Sequence, residues 1–305
     1  MAAYQYYSGV LTKILDTGLG FPSYDVLTFS PVDMWVCGTD NTHVNLHHYN
    51  GSTWIQFLSS VLGTFMCLGG GSSNDLYVGG TTGYIASLGS PLLYHYNGSA
   101  FTQITLPVVG DGTGVLTGIL YLSATNVYAI GYRPNGSWFP LVFHYDGSNW
   151  TSLMASYDYG LAGTGVWGTD SSHIWIPTYG IAYSGGVIFY NGSIFSLSLA
   201  PWDYGWVYAL YAIFGFNNSD IWAVGHQIIT HFNGETWTQI TDPVPADQMN
   251  WQGVWGSATN DVYIAGVSGA NTEVRKIAHW DGSIFTAVYT ETDAQSTSFN
   301  GISGV

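Results

Sequence analysis

"LVFHYDGSNWTSL", residues 141–153, is one of six versions of a single phrase in this chain. The others are "NLHHYNGSTWIQF" from Asn45, "LLYHYNGSAFTQI" from Leu92, "GVIFYNGSIFSLS" from Gly186, "IITHFNGETWTQI" from Ile228 and "KIAHWDGSIFTAV" from Lys276. In every copy an alternating apolar run leads into Asn-Gly or Asp-Gly, and a run headed by an aromatic leaves it. Both residues of such a dipeptide tolerate positive φ, so the phrase predicts a β-hairpin. The hairpin glycines (Gly51, Gly98, Gly147, Gly192, Gly234, Gly282) are 47, 49, 45, 42 and 48 residues apart. A period of that length indicates a propeller or a repeat array.

Each repeat carries two further strand-like runs before its hairpin. The first is apolar with small residues, as in "GILYLS" from Gly118 and "GVWGS" from Gly253. The second opens on a turn-former: "DMWVCG" from Asp33, "DLYVGG" from Asp75, "NVYAIG" from Asn126, "HIWIPT" from His173, "DIWAVG" from Asp220 and "DVYIAG" from Asp261. Four strands per repeat make a blade. The aromatic three residues past each glycine (Trp54, Phe101, Trp150, Phe195, Trp237, Phe285) falls on one face and is expected to pack on the neighbouring blade. His48, His95, His144, His231 and His279 stand two residues before the Asn or Asp, and Phe189 takes that place in the sixth copy. Histidines on five separate blades do not converge as metal ligands must, so they read as packing groups.

Units of the form W-G-S-x-x-D-V-Y-x-x-G … H-Y-D-G-S-x-W-T resemble the β-propeller repeats of secreted bacterial and phage-borne proteins. The resemblance covers nearly the whole chain and concerns architecture, because propellers host many unrelated functions. "YQYYSGVLTKI" at 4–14 matches a hairpin, and "FNGISGV" at 299–305 matches the inner strand "WQGVWGS" at 251–257. The expectation is therefore an all-β, seven-bladed β-propeller forming one domain over 1–305. Its seventh blade would be split between 1–16 and 296–305, N-terminal outer strands pairing with a C-terminal inner strand. That blade lacks a second strand, so it is expected to be short, truncated, or completed by a strand donated by another chain.

Composition bounds the partners. Four cations (Lys13, Arg133, Arg275, Lys276) face nineteen carboxylates, for a net charge of −15. Phosphate backbones are held by clusters of Lys and Arg, so nucleic acid is excluded; so is membrane insertion, since no run approaches the ~20 apolar residues of a spanning helix. Cys37 and Cys67 lie in apolar runs and read as buried free thiols. The N-terminal stretch has no signal-peptide pattern, while the surface, poor in Lys and rich in Tyr, Trp, Ser, Asn and Gly, suits an outer setting: a virion or an extracellular surface.

In a meander blade the first-to-second and third-to-fourth turns lie at one end, and here both are tight and constant. The second-to-third loops and the crossings between blades lie at the other end and vary, as expected where loops on a rigid frame carry function. Two consecutive crossings, "SYDYGLAG" (156–163) and "PWDYGWVY" (201–208), share aromatic-Asp-Tyr-Gly. Tyr157, Asp158, Tyr159, Trp202, Asp203, Tyr204 and Trp206 are the candidate ligand-binding residues: aromatic planes with carboxylates suit sugar rings, and Tyr and Trp anchor protein partners. The same residues also read as turn chemistry with the aromatics in the seam between blades. No nucleophile elbow, phosphate loop or C-x-x-C pair occurs, and two arginines cannot build a sialidase-like carboxylate clamp. "DNTHVNLHH" (40–48) is the densest ligand-capable run, but His47 and His48 point to opposite faces; no metal, cofactor or catalytic residue is expected. The expected function is a non-catalytic binding or structural propeller on an outer surface, a virion decoration or receptor-binding component with a protein or glycan partner. The alternatives are a secreted lectin-like propeller and a glycan-active enzyme using Asp158 and Asp203.

Overall fold

The repeats fold as antiparallel meanders. The computed structural model describes all residues except 1, 8–9, 17–21, 41, 84–88, 135–137, 155–160, 181–184, 200–208, 270–273, 293–299 and 305. Two compact units divide the chain, one built on Leu15–Gly165 and the other on Val166–Gly304 with Tyr4–Ile14.

The first unit holds three blades. They are β3–β6 (Ser23–Ser30, Asp33–Thr39, Val44–Tyr49, Trp54–Phe57), β7–β10 (Thr64–Ser72, Asp75–Thr81, Pro91–Tyr96, Phe101–Gln103) and β11–β14 (Val115–Ser123, Asn126–Pro134, Trp138–Tyr145, Trp150–Ser152). A short β15 (Leu161–Gly163) follows, and its Gly163 carbonyl accepts a 2.7 Å bond from the Thr117 hydroxyl. The second unit holds three more: β16–β19 (Trp167–Asp170, His173–Gly180, Gly185–Tyr190, Phe195–Leu199), β20–β23 (Leu210–Asn217, Asp220–Gly225, Ile228–Phe232, Trp237–Gln239) and β24–β27 (Met249–Ala258, Asp261–Ser268, Val274–Trp280, Phe285–Thr292).

Among the described residues there are six blades, not seven. The N-terminal strands β1 (Ala2–Tyr7) and β2 (Val10–Asp16) pair with each other as a separate two-stranded sheet. Residues 300–304 lie in no strand. The inner-strand likeness of "FNGISGV" has a packing cause. A Cβ on Gly304 would fall 2.6 Å from the Trp255 ring, just as one on Gly215 would fall 2.8 Å from Trp167. The segment therefore seats small residues against the preceding inner strand as a blade does, but packing without a hydrogen-bonded ladder makes no sheet.

The hairpins form where expected, with one difference. Only the glycines take positive φ, from 85° at Gly98 to 97° at Gly282. The preceding Asn or Asp instead turns its side chain onto the loop: Asn97 Oδ1 accepts from the Ser99 and Ala100 N–H groups at 3.0 Å each, and Asp281 Oδ1 does likewise for Ser283 and Ile284. Each connection is thus an Asx-turn with a left-handed glycine rather than a two-residue primed turn.

The glycine five residues past the head of the second strand has a separate reason. The inner strands of five blades carry a β-bulge in their first half, for instance between Phe65 and Cys67 and between Leu210 and Ala212. A Cβ on Gly80, Gly131, Gly225 or Gly266 would fall inside the van der Waals shell of a carbonyl oxygen at that bulge (Thr64, Val115, Ala209, Asn250). Only glycine fits there.

The core lies between consecutive blades. Phe101 and Tyr96 of the second blade pack on Trp35 of the first, Trp150 of the third on Tyr77 of the second, and Phe285 and Trp280 of the sixth on Trp222 of the fifth. Of the aromatics past the hairpin glycines, Phe101, Trp150, Trp237 and Phe285 therefore pack on the neighbouring blade, while Trp54 and Phe195 lie on Tyr49 and Tyr190 of their own. Leu15 of β2 joins Val26, Val36 and Trp54 of the first blade. Cys37 and Cys67 are buried free thiols.

Candidate functional site

The recurrent histidines are tied within their own blades. Each Nε2 bonds the residue at the head of the second strand: His48 to Asp33 at 2.8 Å, His95 to Asp75 at 2.7 Å, His144 to Asn126 at 2.9 Å, and His231 to Asp220 and His279 to Asp261 at 2.7 Å. Each imidazole also lies against the aromatic two residues further along that strand, as His48 does on Trp35 at 4.2 Å and His231 on Trp222 at 4.3 Å. The module joins adjacent blades too, since the Tyr121 hydroxyl donates to Asp75 Oδ2 at 2.5 Å. Ser73 of the second blade meets His48 and Asp33 of the first, but His48 Nε2 meets both the carboxylate at 2.8 Å and the hydroxyl at 3.3 Å. A relay needs two ring nitrogens. This cluster is a brace.

The seven residues chosen from the sequence (Tyr157, Asp158, Tyr159, Trp202, Asp203, Tyr204, Trp206) lie outside the described residues. In the loops expected at the same end, Asp40 accepts from the His43 N–H at 2.6 Å and His43 Nδ1 stands 3.4 Å from its carboxylate, while Arg133 lies 4.4 Å over the Phe139 ring. His47 is buried in β5, and desolvation pushes its pKa down. Among the described residues no three ligand-capable side chains converge on a metal position.

At that loop-bearing end of the second unit a cleft of about 450 Å³ opens, lined by Gln227, Gln239, Ile240, Thr241, Asp242, Pro245 and Gln248. Its origin is local. The second-to-third connection of the fifth blade is only His226-Gln227, the shortest of the six, so no loop fills the space above β23. The crossing from β23 to β24 forms the other wall. There the sequence "DPVPADQ" (242–248) acts as a series of turn devices. Asp242 Oδ1 accepts from the Val244 N–H at 2.9 Å, Pro245 opens a single 3₁₀ turn (Pro245–Asp247), and Gln248 closes it. Pro at the first helical position is favoured because no N–H is lost.

Two of the lining residues are held in a conformation that side chains rarely adopt. Gln227 has φ 56° and Gln248 φ 49°. Left-handed backbone costs an ordinary residue roughly 1–2 kcal/mol, and surrounding bonds hold both. The Gln227 N–H donates to the Met249 carbonyl at 2.8 Å, and the Gly269 N–H donates to the Gln248 carbonyl at 2.9 Å. His226 Nδ1 donates to Asn250 Oδ1 at 2.5 Å, which leaves Nε2 to accept from Gln227 Nε2 at 3.0 Å.

Asp242 is oriented from below. Its Oδ2 accepts from the indole N–H of Trp251, a fully buried ring, at 3.2 Å. The side chains of Gln239, Thr241 and Gln248 are exposed and take no hydrogen-bond partner among the described residues. Among the described residues no cation lines the cleft. Lys276, close by, is taken by Asp247 at 3.0 Å, and the buried Arg275 pairs with Glu291 at 3.4 Å. Three amides, a hydroxyl and a fixed carboxylate beside two apolar side chains can orient a polar, uncharged ligand. Sequence reading missed this site because its residues are single polar side chains without a motif. The usable signal was the two-residue connection beside a crossing with two prolines.

No protein-family model matches the chain, and no curated protein does. Solved structures do. Virginiamycin B lyase from Staphylococcus aureus, in a catalytically inactive form with quinupristin, is 12% identical at TM-score 0.64 over 89% of this chain and 85% of that one. YCF48 bound to D1 peptide is 14% identical at TM-score 0.60, over 88% and 82%. The Aleuria aurantia lectin, a six-bladed β-propeller described with a novel mode of fucose recognition, is 10% identical at TM-score 0.55, over 92% and 98%. The chain accordingly has the β-propeller fold, here with six blades. These neighbours comprise a lyase, a peptide-bound protein and a lectin, so the fold they share leaves the activity to be argued from this chain's own residues.

Proposed function

We propose that the protein is a non-catalytic, lectin-like propeller that binds carbohydrate at the loop-bearing end of its blades. The observation that carries this reading is the cleft on the fifth blade, where amides, a hydroxyl and an oriented carboxylate surround a space within the usual ~300–1,000 Å³ of small-ligand sites. Sugars need such alternating donors and acceptors. The Aleuria lectin, with its fucose ligand, supports the reading by analogy of fold. The aromatic-Asp-Tyr-Gly crossings add Trp202, Tyr204 and their neighbours as candidate stacking groups, and the Lys-poor surface supports an outer setting.

A glycan array on the purified protein tests the proposal. Binding to a defined set of glycans is expected, weakened about tenfold by Trp202→Ala or Tyr204→Ala if the crossings contribute a stacking contact worth ~1.4 kcal/mol. An empty array overturns it. Turnover of a polysaccharide that disappears in Asp158→Asn or Asp203→Asn would replace it with a hydrolytic role.

A further inference from the structure

We propose that the fifth-blade cleft selects neutral, hydroxyl-rich ligands, a sugar terminus without acid groups, and that Asp242 is the residue that excludes anions. This rests on the carbohydrate-binding reading and names the ligand class and the determinant within it. Three observations carry it.

The first is charge. Among the described residues Asp242 is the only charged group lining the cleft, and Lys276 and Arg275 of β26 are paired with Asp247 and Glu291. An anionic group entering would meet a carboxylate with no counter-charge in a chain of net charge −15, and like charges at close range repel strongly where water is partly excluded.

The second is orientation. The Val244 N–H and the Trp251 indole N–H each use one lone pair of the Asp242 carboxylate. The second lone pair on each oxygen is left to accept hydroxyl protons, as a sugar's vicinal hydroxyls supply.

The third is the glutamine pair. His226 takes one N–H of the Gln227 amide, which leaves the other N–H and the carbonyl oxygen for a ligand. A fixed amide offering both donor and acceptor fits a hydroxyl, which is itself both. An anion offers acceptors alone.

The test uses the full chain and the neutral hexosides of a glycan array beside their uronate, sulfated and sialylated counterparts. Wild type is expected to bind the neutral members at least tenfold more tightly. Asp242→Asn keeps an oxygen acceptor for the buried indole and should shrink that preference to less than threefold. Gln227→Gly and Gln248→Gly remove the side chains while supplying the residue best suited to left-handed backbone. These variants should lose at least tenfold in affinity with a melting temperature equal to or above that of wild type, an outcome that a structural role would not give. Equal binding of acidic and neutral glycans overturns the inference and leaves the carbohydrate reading standing. Binding unchanged in all three variants but lost in Trp202→Ala places the site elsewhere and likewise overturns it. An empty array removes the underlying reading itself.

Discussion

The fifth blade heads its second strand with Asp220, ends it with Gly225 and sets His231 on its third strand; the fourth blade has His173, Thr178 and Phe189 at those places. The first and last of these differences have one logic. With Phe189 in the third strand there is no imidazole for a carboxylate to hold, and the head of the second strand is free to become histidine. His173 then turns to Asp170 of the preceding turn, its Nδ1 3.0 Å from each carboxylate oxygen. Bonds from the Ser172 hydroxyl first, and from His173 next, hold the Asp170 carboxyl well below the usual range. Phe189 keeps the ring contact, lying 4.9 Å from Trp175. The carboxylate and imidazole thus behave as one replaceable unit, and the ring stack beneath them as the invariant part.

Thr178 stands five residues past the head of its strand, where the fifth blade has Gly225. The side chain fits and bonds Gly186, donating to its carbonyl at 2.9 Å and accepting from its N–H at 3.0 Å. The sharpest way to break the comparison is to put alanine in both blades. Gly225→Ala drives a methyl into the Ala209 carbonyl and should destabilise by about 3 kcal/mol or more. Thr178→Ala gives up only a hydroxyl and should cost about 1 kcal/mol. Urea denaturation measures both; equal costs would mean that the bulge is not what demands glycine.

The same alignment by strand position sets Asp25 of the first blade opposite Ala212 of the fifth, each just past its bulge. Asp25 accepts from the Val26 N–H and from Leu68 of the next inner strand, both at 2.8 Å. Burial outweighs these donors and raises its pKa to about 7 from an ordinary 3.8. The folded state therefore keeps a proton between pH 4 and 7 that the unfolded chain has released. This contribution to stability is complete below pH 4 and is lost as pH rises through 7, with a slope of at most ~1.4 kcal/mol per unit. Because the residue keeps some solvent exposure, a total nearer 1–2 kcal/mol is expected. Asp25→Asn should flatten the difference in midpoint between pH 5 and pH 8. A slope identical to that of wild type would contradict the assignment.

These contrasts also mark where the sequence is legible. Six hairpins could be read because Asn-Gly and Asp-Gly between alternating runs are local signals, and the histidines could be set aside because a repeat disperses them. The count of blades could not be read: "FNGISGV" shares its small residues with inner strands because both must seat against a neighbouring ring, and composition alone does not distinguish packing from pairing. Gln227, Asp242 and Gln248 were invisible for a different reason. Their role comes from a short connection on one strand pair and a crossing fifteen or so residues later, and only the folded blade brings these together.

The smallest expected effect tests whether the carboxylate–imidazole unit can be moved. His231→Phe should cost about 1 kcal/mol, because Asp220 loses its partner while the stack on Trp222 is kept. In the fourth blade Phe189→His should also cost about 1 kcal/mol, since the new imidazole faces His173 rather than an acid. Adding His173→Asp rebuilds the Asp–His unit of four of the other blades, the third having Asn126 in that place. If the unit is modular, the double variant should recover at least half of the loss, a coupling of ~0.5 kcal/mol or more in a double-mutant cycle. Asp170 is the reason full recovery is not expected: it loses His173 and gains a second carboxylate three residues away. A double variant no more stable than Phe189→His alone would show that the fourth blade has settled its own turn around Asp170 and His173, and that the other five blades share a pattern of residues rather than an exchangeable part.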